Sequence, residues 1–236
     1  MKKNFKKTLI IIFLFVPVLI SGCSSNINLI IQERLSEVRF NQFVAYNEKV
    51  YVKFTSGFRE DPYVLNGISE NKKEFGVITV KFLTEIENKN IEPSFVITIN
   101  GMDFDGTFEL NPFDQTYVQD IETYVLNDSI CSIKIMWNEF NFESILNNIS
   151  NSFNCNHTKS LSIFISEYKK EIKNLIKSDI NFEVYVKIID DPSINLDKFY
   201  FYVCLISSSG ESFSLIIDPY SCEVLAKNES KNQLIL

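Results

Sequence analysis

Histidine occurs once in 236 residues, at His157, and that scarcity excludes more chemistry than any other feature of the chain. Every Ser-His or Cys-His mechanism, and every histidine-bearing metal set, would have to pass through this one ring. Cys155 lies two residues before it, a spacing at which a loop rarely puts thiol and imidazole in hydrogen-bond reach. His157 is therefore expected to be a solvated loop histidine. Seven glycines and six prolines leave no glycine-rich phosphate loop. Neither a G-x-S-x-G elbow nor an H-E-x-x-H helix occurs. No apolar run approaches the roughly 20 residues that a membrane-crossing helix needs. Basic residues are outnumbered 23 to 30, for a net charge of −7. A chain this acidic is not drawn to nucleic acid by its own field.

What is present begins with four lysines (Lys2, Lys3, Lys6, Lys7), an apolar stretch over residues 9–20 that contains Pro17, and then Ile20-Ser21-Gly22-Cys23. A charged, an apolar and a small-residue region in that order are the three parts of an export signal. The four final residues resemble the lipobox of bacterial lipoproteins. The resemblance implies cleavage between Gly22 and Cys23, lipidation of Cys23, and an extracytoplasmic protein held on the cell membrane by its acyl chains. Buried CH₂ groups contribute about 0.8 kcal/mol each to such an anchor. Without residues 1–22 the chain holds 19 basic and 30 acidic residues, a net of −11. The apolar fraction of 45%, with 21 phenylalanines, is ample for a packed core.

Residues 23–38 form the anchor and a short lead-in, in which residues 27–38 suit either a helix or an entering strand. From residue 39 to 150 the pattern has period two. Val50, Val52 and Phe54 alternate with polar neighbours, and Phe95, Ile97 and Ile99 run into Asn100-Gly101, a dipeptide suited to a type I′ hairpin turn. A return strand over residues 102–110 ends at Asn111-Pro112. About eight such strands predict an antiparallel β-sandwich, immunoglobulin-like in architecture.

A polar stretch over residues 147–157 marks a boundary, and residues 156–236 change character. Leu161, Phe164, Ile165, Tyr168, Ile172, Leu175 and Ile176 fall on one face of a helix. Four strands follow, over 182–189, 199–206, 212–217 and 223–226. A helix on a four-stranded antiparallel meander is an α+β arrangement, so the whole chain is mostly β with an α+β C-terminal part. Phe199-Tyr200-Phe201-Tyr202-Val203, Gly210-Glu211-Ser212-Phe213, Ile217-Asp218-Pro219 and Glu223-Val224-Leu225-Ala226 resemble the PepSY family and its cystatin-like relatives. Family members often read D-x-x-T-G-E-V-L at the last turn, whereas here Cys222 stands in the glycine's place. The resemblance implies a binding or peptidase-inhibiting module, and no catalytic residue carries over.

Apart from Cys23, the cysteines are Cys131, Cys155, Cys204 and Cys222, which allow three disulfide connectivities. In a meander the strands of Cys204 and Cys222 flank a third, two spacings or about 9–10 Å apart. That exceeds the roughly 7 Å limit between bridged Cα atoms, so Cys131–Cys155 is the better-placed candidate. Asp103, Asp105 and Gly106 with Asp114 do not keep the spacing of a calcium loop. Asp190-Asp191 and Glu60-Asp61 precede prolines, as turn formers do. Tyr200 and Tyr202 fall on one side of their strand, opposite Phe199 and Phe201, and Trp137 with Phe140 and Phe142 offers a second aromatic group. No metal and no cofactor is expected. The expected function is non-catalytic binding of a protein or peptide partner. The alternatives are peptidase inhibition and a carboxylate-based hydrolase acting on envelope polymers, which needs two acids about 5–10 Å apart.

Overall fold

The computed structural model describes residues 27–62, 64, 66–84, 92–123, 125–191 and 195–230. Contacts divide the chain between residues 32 and 33. Helix α1 (Ile27–Glu33) reaches that division with its last residue in the second unit, and every strand belongs to the second. The lead-in thus uses both forms that its pattern allowed, a helix and then a strand.

The first nine strands are β1 (Leu35–Tyr46), β2 (Val50–Glu60), β3 (Lys72–Phe82), β4 (Ser94–Ile99), β5 (Met102–Thr107), β6 (Glu109–Asn111), β7 (Thr116–Ile121), β8 (Cys131–Trp137) and β9 (Phe140–Asn148). The molecule is mostly antiparallel β, a large sheet nearly closed as a barrel. The ladder runs from β6 through β7, β3 and β2 to β1, then through β9 and β8 to β4 and β5. β5 and β6 are separated by Phe108 alone, so the expected single return strand is broken there. Its first half pairs with β4 and its second with β7. The fully buried Phe108 ring lies 4.7 Å from that of Phe95, and its N–H donates to the Pro93 carbonyl at 2.9 Å.

Period-two patterning explains the interior. Phe95, Ile97 and Ile99 of β4, and Cys131, Ile133 and Ile135 of β8, all point into the barrel, where they meet Phe43, Phe54 and Ile78. Full burial of each large side chain contributes about 1.5–3 kcal/mol. Asn100 and Gly101 adopt φ of 50° and 83°, as a type I′ turn requires, and join β4 to β5.

β1 has two neighbours along one edge. Leu35–Val38 pairs in parallel with β10 (Phe182–Asp191), and Phe43 and Val44 pair with β9. β2 covers the other edge from Glu37 to Tyr46, with a bulge between Arg39 and Asn41. Opposite that bulge a Cβ on Gly57 would stand 1.8 Å from the Val38 carbonyl oxygen, so only glycine lets the backbones approach.

The C-terminal strands are β10, β11 (Asn195–Ser207), β12 (Ser212–Ile217) and β13 (Val224–Ser230), a meander in ladder order. Before them come a 3₁₀ turn (Ile149–Ser152) and two helices, α2 (His157–Glu167) and α3 (Lys169–Lys177). The apolar stripe predicted one helix. Tyr168 interrupts it at φ −107° and ψ 24°, and its ring packs between Phe164 and Phe213. The Tyr168 hydroxyl donates to the Ser214 carbonyl at 3.1 Å, which fixes the break over the sheet. The Asn156 side chain caps α2 by accepting from the Lys159 N–H at 2.9 Å.

Candidate functional site

The residues that carry the lipobox, Gly22 and Cys23, lie outside the described residues. Cys131 is buried in β8, and burial pushes its thiol up to about 12. Cys155 is buried ahead of α2 and pushed up to about 11, first by burial and further by the neighbouring Cys222 thiol. Both cysteines of the expected pair are free thiols; the Cys155 thiol is hydrogen-bonded to the Ser160 hydroxyl at 3.4 Å, with the Cys222 thiol nearby. His157 opens α2 and is not solvated as expected. Its ring lies half-buried, 5.2 Å from that of Phe40, and burial lowers its pKa.

The other candidates separate. Asp103 accepts from the Thr98 hydroxyl at 2.7 Å, while Asp114 caps its own turn by accepting from Thr116. Among the described residues no group of three metal-ligating side chains converges. Trp137 is buried against Phe82 and Tyr117, with ring separations of 4.7 and 5.3 Å, so it serves the barrel core. Asp61 pairs with Lys73, and the Glu60 carboxylate is buried beside the Glu70 N–H at 3.4 Å.

Polar groups gather instead on the face of the C-terminal sheet that points away from the helices. Register sets which residues these are. Val184, Leu205 and Phe213 stand across from one another on the helix-covered side, and so do Val186, Val203 and Leu215. The opposite side therefore carries Glu183, Tyr185 and Lys187 from β10, Tyr200, Tyr202 and Cys204 from β11, and Glu37 from β1 beside Tyr185. The Glu37 carboxylate binds Arg39 Nε at 2.5 Å and Lys187 Nζ at 2.8 Å. Burial would raise its pKa, but the two cations outweigh burial and hold it below the usual glutamate value. Glu183, also buried, accepts from the Tyr185 hydroxyl at 2.7 Å and from the Gly67 N–H at 3.1 Å.

Gly67 approaches so closely because a Cβ there would stand 2.6 Å from Asn181 Cβ. The two segments line a shallow depression of about 110 Å³ with Phe182, Glu183, Ile206 and Ser207. Further along β10, Asp190 accepts from the Tyr51 hydroxyl at 2.8 Å and from Lys53, so two ionic ties fasten β10 to β1 and β2 of the barrel.

This arrangement places fixed charges and leaves little for proton transfer. Glu37 is held ionised by its partners, the opposite of what a general acid requires. Burial pushes the Cys204 thiol up, so it stays protonated, and also raises the adjacent Tyr202 phenol. What reaches solvent is the half-exposed faces of Tyr200 and Tyr202, with the Lys198 ammonium 5.5 Å from the Tyr200 ring. One further surface is β13. Six of its seven residues are exposed, and among the described residues it pairs with β12 alone.

The tyrosine–phenylalanine alternation on β11 was legible in the sequence. The Glu37–Lys187 tie was not, because it depends on a parallel pairing between distant strands. The alternation of Glu183, Tyr185 and Lys187 was the signal available for that face. Compared with known protein families, curated proteins and solved structures, the chain matches none of them.

Proposed function

We propose that the protein is a non-catalytic lipoprotein, anchored through Cys23 on the extracytoplasmic face of a bacterial membrane, that binds a protein or peptide partner. The contact we assign is the β13 edge. The observation that carries the assignment is a seven-residue strand with one described ladder partner and an exposed outer side. Such an edge offers a row of main-chain donors and acceptors, and an extended peptide can add to it as one more strand. Leu225, half exposed, gives the added strand an apolar neighbour, while Lys227 and Glu229 discourage indiscriminate pairing. The finer architectures belong to the same proposal: an immunoglobulin-like sandwich for β1–β9 and a PepSY/cystatin-like module for the last eighty residues.

The test is photo-cross-linking in cells from a probe residue at position 225 or 229, with a probe at Lys170 as the control site. A captured partner from β13 and none from Lys170 is the expected result. Equal capture from both, or capture from neither, removes the edge as the contact. The anchor is tested separately. Cys23→Ser is expected to move the protein from the membrane to the soluble fraction, and retention in the membrane would overturn the lipid attachment.

A further inference from the structure

The segment entering α2 is stitched to the turn between β12 and β13, and the stitching brings two thiols together. The Cys155 N–H donates to the Pro219 carbonyl at 2.9 Å, and the Asn154 side-chain amide donates to the Tyr220 carbonyl at 2.7 Å. Phe153 sets its ring edge-on to Tyr220 and to Phe201, at 5.4 and 5.9 Å. Asp218 shapes the turn. Its carboxylate accepts from the N–H groups of Tyr220 and Ser221 at 2.7 and 3.0 Å, and its carbonyl accepts from the Cys222 N–H at 2.9 Å. Within this frame the Cys155 thiol is hydrogen-bonded to the Ser160 hydroxyl at 3.4 Å and stands beside the thiol of Cys222. The Lys159 ammonium, on the first turn of α2, lies near the same Cys222 sulfur.

Two further features distinguish the pair from an accidental approach. Cys155 is completely buried while Cys222 is partly exposed, so a reagent from solvent meets one sulfur first and the other stands behind it. Cys222 also sits at φ 66°. The other non-glycine residues described at positive φ are three asparagines, a glutamine and an aspartate, the polar types that suit such turns. A cysteine gains nothing from that backbone, and glycine would adopt it without strain. An unfavourable residue held at a strained position, beside a second cysteine, points to a use for its sulfur.

We propose that Cys155 and Cys222 form a dithiol site that closes to an intramolecular disulfide by exchange with an external disulfide. The Cys222 sulfur attacks one sulfur of that disulfide, and its proton goes to the other half, which departs as a thiol. The Cys155 sulfur, its proton passed to the departing thiolate, then attacks Cys222 in the mixed disulfide and releases the second half. Two protein thiols lose two electrons and two protons, and the external disulfide becomes two thiols. The resulting bond ties the entrance of α2 to the β12–β13 turn, closing a loop that contains the whole C-terminal meander up to β12. The site does not depend on the binding reading, because the exchange needs no partner at β13.

The experiment uses the purified full-length chain, incubated with oxidised glutathione, quenched, alkylated in denaturant and mapped by peptide mass spectrometry without reduction. The expected result is a Cys155–Cys222 cross-linked peptide, with Cys131 and Cys204 recovered alkylated. In Cys155→Ser the mixed disulfide should remain on Cys222. In folded Cys222→Ser the buried Cys155 should take up no glutathione. Full alkylation of all cysteines after oxidation overturns the proposal, and so does a link from Cys155 or Cys222 to Cys23, Cys131 or Cys204. The wild-type map decides the matter even where a serine variant does not fold.

Discussion

The barrel strands and the C-terminal meander are built from the same alternating pattern but use their two faces differently. In β2 both sides are largely covered. Val50, Val52 and Phe54 enter the core, while Tyr51 and Lys53 lie under Asp190 on the outside. In β12 the alternation is clean, with Phe213, Leu215 and Ile217 buried beneath the helices and Ser212, Ser214 and Ile216 half-exposed. A nearly closed barrel covers its own inner face, and β10 covers part of its outside, whereas a four-stranded sheet needs helices on one side and keeps the other available. Burial in the first region is enforced from all around, and in the second from one direction only.

The strongest way to break this contrast is to open the barrel at its joint. Phe108→Ala empties the position where β5 passes into β6 and should cost about 3–5 kcal/mol in urea unfolding. A loss well under this would mean the barrel relaxes around the joint as readily as an open sheet.

Next in size is Glu37→Gln, which leaves Arg39 and Lys187 without their anion and should cost about 1–3 kcal/mol at pH 7. The sign with pH follows from the lowered folded-state value of Glu37. Its stabilisation is complete above the ordinary glutamate value of 4.5 and is lost as pH falls through the folded value. His157, lowered by burial, acts in the same direction from a higher starting point, its contribution fading as pH falls below 6.5. Unfolding midpoints measured from pH 7 to pH 3 should therefore decline in two stages. Glu37→Gln should remove the lower stage, and His157→Phe the upper.

Tyr168→Phe removes only the hydroxyl that holds the helix break over β12 and should cost about 1 kcal/mol. The smallest effect is expected at the open edge. Leu225→Ser should change stability by no more than about 0.5 kcal/mol, while weakening partner capture at β13. A larger loss would mean the edge is structural rather than available.

Much of this was legible in the residues themselves. The β4–β5 hairpin followed from Asn100-Gly101, the helical stripe from Leu161 to Ile176, and the buried and half-exposed sides of β11 from its alternating phenylalanines and tyrosines. The misses share a cause. The break at Phe108 and the interruption at Tyr168 are imposed by what lies across from them, Pro93 in one case and Ser214 in the other. The solvated histidine became a packed one because Phe40 reaches it from β1. The Cys155–Cys222 contact arises where a pre-helical segment meets a turn more than sixty positions later, held by Pro219 and Tyr220 carbonyls that local pattern does not reveal.

The two partners along one edge of β1 have a consequence for how the chain becomes a protein at all. Leu35 finds its pairing residue at Val184, so nearly everything between must emerge before that edge is filled. A chain made or exported from its N-terminus carries β1 half-dressed for most of its passage, and long-range pairing of this kind slows folding. During that interval an unfilled edge can recruit a neighbouring chain. Molecules cut short before β10 would keep that exposure permanently, and are expected to clump rather than persist as smaller working pieces.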